Sequence, residues 1–192
     1  MGMSSSRRYG GQEITMVTTS NASDWKVYFA ESFYPSGSQR LIKWYALGNV
    51  YYHGVGDGEG TPVIDFSGNT GSETVTIKSS RGLTRILSSD MQLTKLDVSK
   101  NVNLRVLSCG SNQLTTLDVT KNIRITYIHC TFTQLPELDV SKNIALNRFY
   151  CYSNPNLTII YVNQTQLDKL NGVIPSDLDW KKDLTATYVL KQ

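Results

Sequence analysis

The chain is predicted to be mainly β with little helix: a right-handed solenoid with one long parallel sheet, an N-terminal β-rich domain and a C-terminal cap. Three observations predict this. First, Leu93 to Gln113, Leu114 to Gln134 and Leu135 to Pro155 are each 21 residues long and align without a gap. A fixed period of this length marks repeats that bury their apolar faces only against their neighbours. Second, the three cysteines, Cys109, Cys130 and Cys151, fall 21 apart, at one phase of the repeat. Third, Leu96 to Asn101, Leu117 to Asn122 and Leu138 to Asn143 repeat the pattern L-D-V-[ST]-K-N, whose apolar alternation is too short for a helix.

In chain order, residues 1–12 read as a flexible N-terminus. Residues 13–71 read as a small β-rich domain or N-terminal cap. Trp25 to Ala30, Leu41 to Ala46, Val50 to His53 and Val63 to Phe66 are short β-rich runs separated by Gly, Ser, Pro and Asn. The loop His53 to Gly60 carries Asp57 and Glu59, but it lacks EF-hand spacing and its glycines suit tight turns. It reads as an ordinary loop and not as a calcium site.

Residues 72–162 read as the repeat array. Ser72 to Gln92 is an atypical first coil, with Val75, Ile77, Leu83 and Ile86 in the apolar phases and Ser88 in place of cysteine. Each full repeat carries L-x-x-L-x-C-x-x-N-x-L, seen whole at Leu104, Leu107, Cys109, Asn112 and Leu114, the leucine-rich-repeat consensus. Residues 163–192 read as the cap. Asn163 or Thr165 is placed to cap a short helix through Leu170 that Gly172 ends, and Thr185 to Leu190 reads as a closing strand. Trp180 and Tyr188 are the aromatic cover that the apolar end of such an array needs.

Residues in one phase form a column. Cys109, Cys130 and Cys151 are expected to point inward as small apolar fillers. Parallel neighbours about 4.8 Å apart give neither disulfide geometry nor the tetrahedral convergence of a zinc site, so no metal is expected. Asn101, Asn122 and Asn143 are expected to satisfy the backbone of one turn, and Asn112 and Asn154 that of the other. The second column is broken at Thr133, which predicts a looser turn near Phe132 and Thr133. Asp97, Asp118, Asp139, Lys100, Lys121 and Lys142 read as a solvated charged surface.

Function then falls to side chains the core does not use. On the open sheet face one row reads Arg85, Val106, Tyr127, Arg148, the next Leu87, Ser108, His129, Tyr150, and a third Ser89, Gly110, Thr131, Tyr152. The ligand-binding candidates are therefore Tyr127, His129, Arg148, Tyr150, Tyr152 and Arg85, with Phe132 at the edge. Tyrosine and arginine are enriched where proteins bind partners.

No catalytic residue and no cofactor is expected. G-x-S-x-G, P-loop, H-E-x-x-H and dinucleotide motifs are all missing, and strand alternation turns Cys130 inward while His129 faces out. A net charge of +3 without a basic, aromatic-interleaved run implies no nucleic-acid partner. Apolar runs such as Ile159 to Val162 fall far short of the ~20 residues that span a bilayer, so no membrane insertion is expected. The opening MGMSSSRRYGGQE has no apolar stretch behind its arginines and does not read as a secretory signal peptide.

Over residues 72–162 the cysteine-bearing repeats, LTxLDVSKN followed by L, C and NQ, resemble those of internalin-like bacterial leucine-rich-repeat surface proteins. That resemblance implies a surface or secreted adhesin that binds a protein or glycan ligand without catalysis. A structural spacer and an intracellular interaction scaffold are the alternatives.

Overall fold

The structure, a computed structural model, describes residues 12–31, 42–53, 61–79 and 82–191. The predicted flexible N-terminus (but for its last residue) and the Gly54–Gly60 part of the glycine-rich loop lie outside the described residues. Among the described residues the chain is mainly β, with several sheets and one helix. No helix among them is long and apolar enough to cross a membrane.

The front sheet is built from β2 (Phe29–Glu31), β6 (Arg85–Leu87), β8 (Val106–Ser108), β9 (Tyr127–His129), β11 (Arg148–Cys151) and β13 (Asp179–Lys182). Its order is β13-β11-β9-β8-β6-β2, parallel from β6 to β13. Ile86, Leu107, Ile128, Phe149 and Trp180 are in register, so one inward position repeats across five strands. Alternation puts this column in the core and the residues beside it on the open face. Antiparallel β2 pairs with β6 and covers the edge of the first repeat.

Behind lies a five-stranded sheet of β1 (Glu13–Thr18), β3 (Ile42–Ala46), β4 (Asn49–His53), β5 (Glu73–Lys78) and β7 (Leu93–Asp97), ordered β4-β3-β5-β1-β7. The runs read from the sequence began at Trp25 and passed over β1. Yet β1 alternates inward and outward along its whole length, burying Ile14 and Met16, and pairs antiparallel with both β5 and β7. Glu13 reaches Lys78 (3.6 Å) and Lys100, and these cations, Lys100 foremost, hold its carboxyl below the ordinary value. Trp25 to Ala30 and Val63 to Phe66 are less regular than expected. They meet at the single bridge Trp25–Ile64, where the Trp25 and Phe66 rings pack edge to face at 5.4 Å.

A second back sheet, β10 (Glu137–Asp139), β12 (Ile159–Val162) and β14 (Thr187–Leu190), is parallel. Between β7 and β10 the segment 115–119 forms no strand. Gln113 N–H donates to Leu93 O (2.8 Å) and Gln134 N–H to Leu114 O (2.9 Å), after which the repeats part on this side. The gap is a groove of about 820 Å3 lined in part by Leu96, Thr116 and Glu137.

Polar columns hold the turns. The Nδ2 of Asn122 donates to Val98 O and Asn101 O (both 2.9 Å), and that of Asn143 to Val119 O and Asn122 O (2.9 and 3.0 Å). Gln166 extends the column, its Nε2 donating to Val140 O and Asn143 O (3.0 and 3.2 Å). Gln166 belongs to α1 (Gln164–Leu170), where Asn163 is the N-cap in a reciprocal capping box with it. Gly172, at φ +71°, follows the helix end. The aspartates do more than face water: Asp97, Asp118 and Asp139 each accept the N–H two residues on, from Ser99, Thr120 and Ser141, at 2.9 Å.

The turn at Thr133 is not looser than its counterparts. Asp90, Ser111, Phe132 and Ser153, 21 apart, all take left-handed φ between 52° and 60°. Thr133 stays buried, with Asn154 Oδ1 accepting its N–H at 2.6 Å, and its hydroxyl, 2.7 Å from Asn154 Oδ1 and 3.2 Å from Cys130 O, stands in for the missing asparagine.

Candidate functional site

The front strands carry two outward rows. Arg85, Val106, Tyr127, Arg148 and Asp179 share one register position, and Leu87, Ser108, His129, Tyr150 and Lys181 another. The structure thus brings Tyr127, His129, Arg148 and Tyr150 together on neighbouring strands. The Tyr127 and Tyr150 rings meet edge to face at 5.8 Å, and His129 and Tyr150 at 6.4 Å. Arg85 lies two strands before Tyr127, and Tyr152 sits just past β11, 39% exposed. The third row departs from expectation: Gly110 and Thr131 are buried. A Cβ on Gly110 would stand 2.9 Å from Thr131 O and 3.1 Å from His129 Cε1, so glycine is required there.

Hydroxyls orient His129 on both sides. Its Nδ1 lies 3.1 Å from Ser108 Oγ, its Nε2 2.9 Å from Thr131 Oγ1, and Ser89 Oγ is 2.9 Å from Ser108 Oγ. Partial burial lowers the imidazole's pKa from its ordinary value, favouring the neutral ring. Both nitrogens are engaged by neutral groups, so the ring is fixed in place and hydrogen-bonded to a hydroxyl on either side.

Two site residues carry no repeat signature. Asp179 and Lys181 lie 31 residues beyond Arg148 and Tyr150, not 21, so the period hides them. The Tyr150 hydroxyl donates to the Asp179 carboxylate, which raises the phenol's pKa, and the Lys181 ammonium lies 5.1 Å from the centre of the Tyr150 ring. The usable signal was the alternation D-W-K, with Trp180 between two charged residues.

Phe132 occupies the left-handed position that its counterparts fill with Asp and Ser, and its ring is 60% exposed. A bulky residue in that conformation costs about 1–2 kcal/mol, and aspartate or asparagine costs less. Phe132→Asn is therefore expected to raise the melting temperature by about 2–4 °C per kcal/mol recovered, as calorimetry would record. An unchanged or lower value would contradict the strain.

Beneath the face, Cys109, Cys130 and Cys151 are fully buried and free. Burial pushes the Cys109 and Cys151 thiols up to about 12 and holds that of Cys130 well above its usual value. Among the described residues no group of three or more His, Cys, Asp or Glu side chains is placed to hold a metal ion.

None of the protein-family models compared matches the chain, and no curated protein matches it. Among solved structures, the functional domain of InlJ from Listeria monocytogenes, which includes a cysteine ladder, is similar at 33% identity with a TM-score of 0.39. The match covers 44% of this chain and 21% of that one, so it spans about a fifth of the solved domain's length.

Proposed function

We propose that this chain is a leucine-rich-repeat solenoid acting as a non-enzymatic recognition module, binding a protein or glycan at a bacterial cell surface through its open front face. The observation that carries the reading is the alignment of Tyr127, Arg148, His129 and Tyr150 on adjacent strands, outside the core and clear of the buried cysteine column. Tyrosine and arginine supply binding energy at low entropic cost when a rigid sheet presents them. The strained, exposed Phe132 beside them fits the same use. The bacterial-surface setting rests on the resemblance of the repeats.

The test is a protein and glycan array, followed by Tyr127→Ala with Arg148→Ala. Binding should fall at least tenfold while the melting temperature moves little, because both side chains lie outside the core. Undiminished binding would place the site elsewhere.

A second reading, assembly through another surface, has one specific observation in its favour. Val102, Ile123 and Ile144, 21 apart, are 43%, 53% and 78% exposed. Concentration-dependent oligomers in light scattering, lost on Ile144→Ser, would support it.

A further inference from the structure

A trough crosses the strands on the front face, and its chemistry selects a ligand within the recognition reading, on which this inference rests. It has a volume of about 710 Å3 and runs from Arg85 to Arg148, lined also by the apolar Leu87, Val106 and Tyr127 and the polar Ser108, Thr126 and Asn147. The two arginines differ. Arg85 is engaged within the chain. Arg148 is exposed and, among the described residues, takes part in no ion pair, although Asp179 is its register neighbour. That carboxylate is held instead by the Tyr150 hydroxyl and by Lys181 at 3.8 Å. A planar guanidinium with five donors is therefore presented at the end of a trough of mixed polar and apolar lining without a protein acceptor.

Arg85, Val106, Tyr127 and Arg148 stand on four consecutive strands of the sheet. Three strand steps of about 4.8 Å put their backbones roughly 14 Å apart. An extended peptide advances about 3.3 Å per residue, so four residues cover that span. Side chains at i, i+2 and i+4 of such a peptide share one face.

We infer that the trough binds an acidic peptide segment of a partner protein, laid across the strands with acidic residues at i and i+4 and an apolar residue at i+2. One carboxylate meets Arg148, the other lies toward Arg85, and the apolar side chain rests on Val106 and Tyr127. Leu87 and Val106 seat the apolar residue of a peptide, the polar Ser108, Thr126 and Asn147 of the same lining suit its backbone amides, and the Tyr150 ring, on which a sugar would stack, already has the Lys181 ammonium over it.

The probe is labelled acetyl-Gly-Glu-Gly-Leu-Gly-Glu-Gly-amide, titrated by fluorescence anisotropy at low and high salt. Binding should weaken with salt, vanish when both glutamates become glutamine, and weaken when they flank the leucine directly, because alternation then turns them away. Arg148→Ala should lower affinity at least tenfold and Arg85→Ala less. Arg148→Glu should prefer the peptide in which one glutamate is replaced by lysine, a gain that misfolding does not produce. Failure to bind at millimolar peptide, indifference to Arg148, or binding of a carboxylated sugar such as a hyaluronan oligosaccharide in the peptide's place would overturn the inference. If an array ligand is lost on Tyr150→Ala while the acidic peptide never binds, the recognition reading stands and this inference falls.

Discussion

Replacing Asn112 with alanine is expected to cost about 3–5 kcal/mol, among the largest effects of any polar substitution in this chain. The side chain is buried and has five backbone groups within hydrogen-bond distance, three of them sharing the two hydrogens of its Nδ2. Its Oδ1 accepts the N–H groups of Met91 (3.1 Å) and Leu93 (2.9 Å). Its Nδ2 donates to Ser88 O, Cys109 O and Gly110 O at 2.9 to 3.1 Å. Alanine leaves up to four of these buried backbone groups without a partner, since Gly110 O still accepts the Asp90 N–H at 3.0 Å, and each unsatisfied group costs about 1–3 kcal/mol before relaxation. Asn122→Ala gives an internal comparison. There only Nδ2 is used, on two carbonyls, while Oδ1 has no partner, so the expected cost is smaller, about 2–3 kcal/mol. Asn122→Asp should be worse than Asn122→Ala, since a second oxygen would face Val98 O and Asn101 O. Urea unfolding of the three variants checks the order. Equal losses below about 1 kcal/mol would show that the polar columns do not hold the turns.

Phe149→Ala is expected to cost about 3–5 kcal/mol, and its effect should reach the front face. The Phe149 side chain is fully buried, its ring 5.2 Å from that of Trp180, which in turn lies 5.9 Å from Tyr188. This aromatic stack closes the C-terminal end of the core. Trp180 stands on β13 between Asp179 and Lys181, so a cavity behind it loosens the strand that holds Tyr150. The variant should therefore lose ligand affinity as well as stability, although Phe149 touches no ligand. Phe149→Leu, which keeps most of the volume, should cost much less on both counts. A stability loss under about 1.5 kcal/mol for the alanine variant, read from denaturant unfolding, would mean that the stack does not close the core.

How much of this was legible differs from element to element. The 21-residue period placed Leu107, Ile128 and Phe149 in one column and Tyr127 beside Arg148, because strand alternation leaves little freedom once the repeat is aligned. It also found the asparagine columns, while capping residues gave the short helix. Outside the period the reading lost its guide. Strand β1 inserts between two back strands through pairings of high sequence separation, which no local pattern announces, and its alternation is blurred where Val17 follows Met16. Strand β13 offers one apolar residue among charges, and its docking depends on what Phe149 presents. Gln166 was hidden because a helix, not another repeat, delivers its amide to the column. At 115–119 the L-D-V pattern of β7 and β10 recurs without a strand, within the reading that so short an alternation is no helix. There β7 and β10 each end their sheet, and the segment between them joins neither.

All of this assumes that residues 21 apart occupy the same place in successive repeats, so that the three thiols share one dry interior column. Titration with a thiol reagent at pH 8, before and after guanidinium, tests it most directly. Burial at this depth predicts no fast-reacting thiol in the native protein and three once it is unfolded. A thiol that reacts at once in the folded chain would contradict the account.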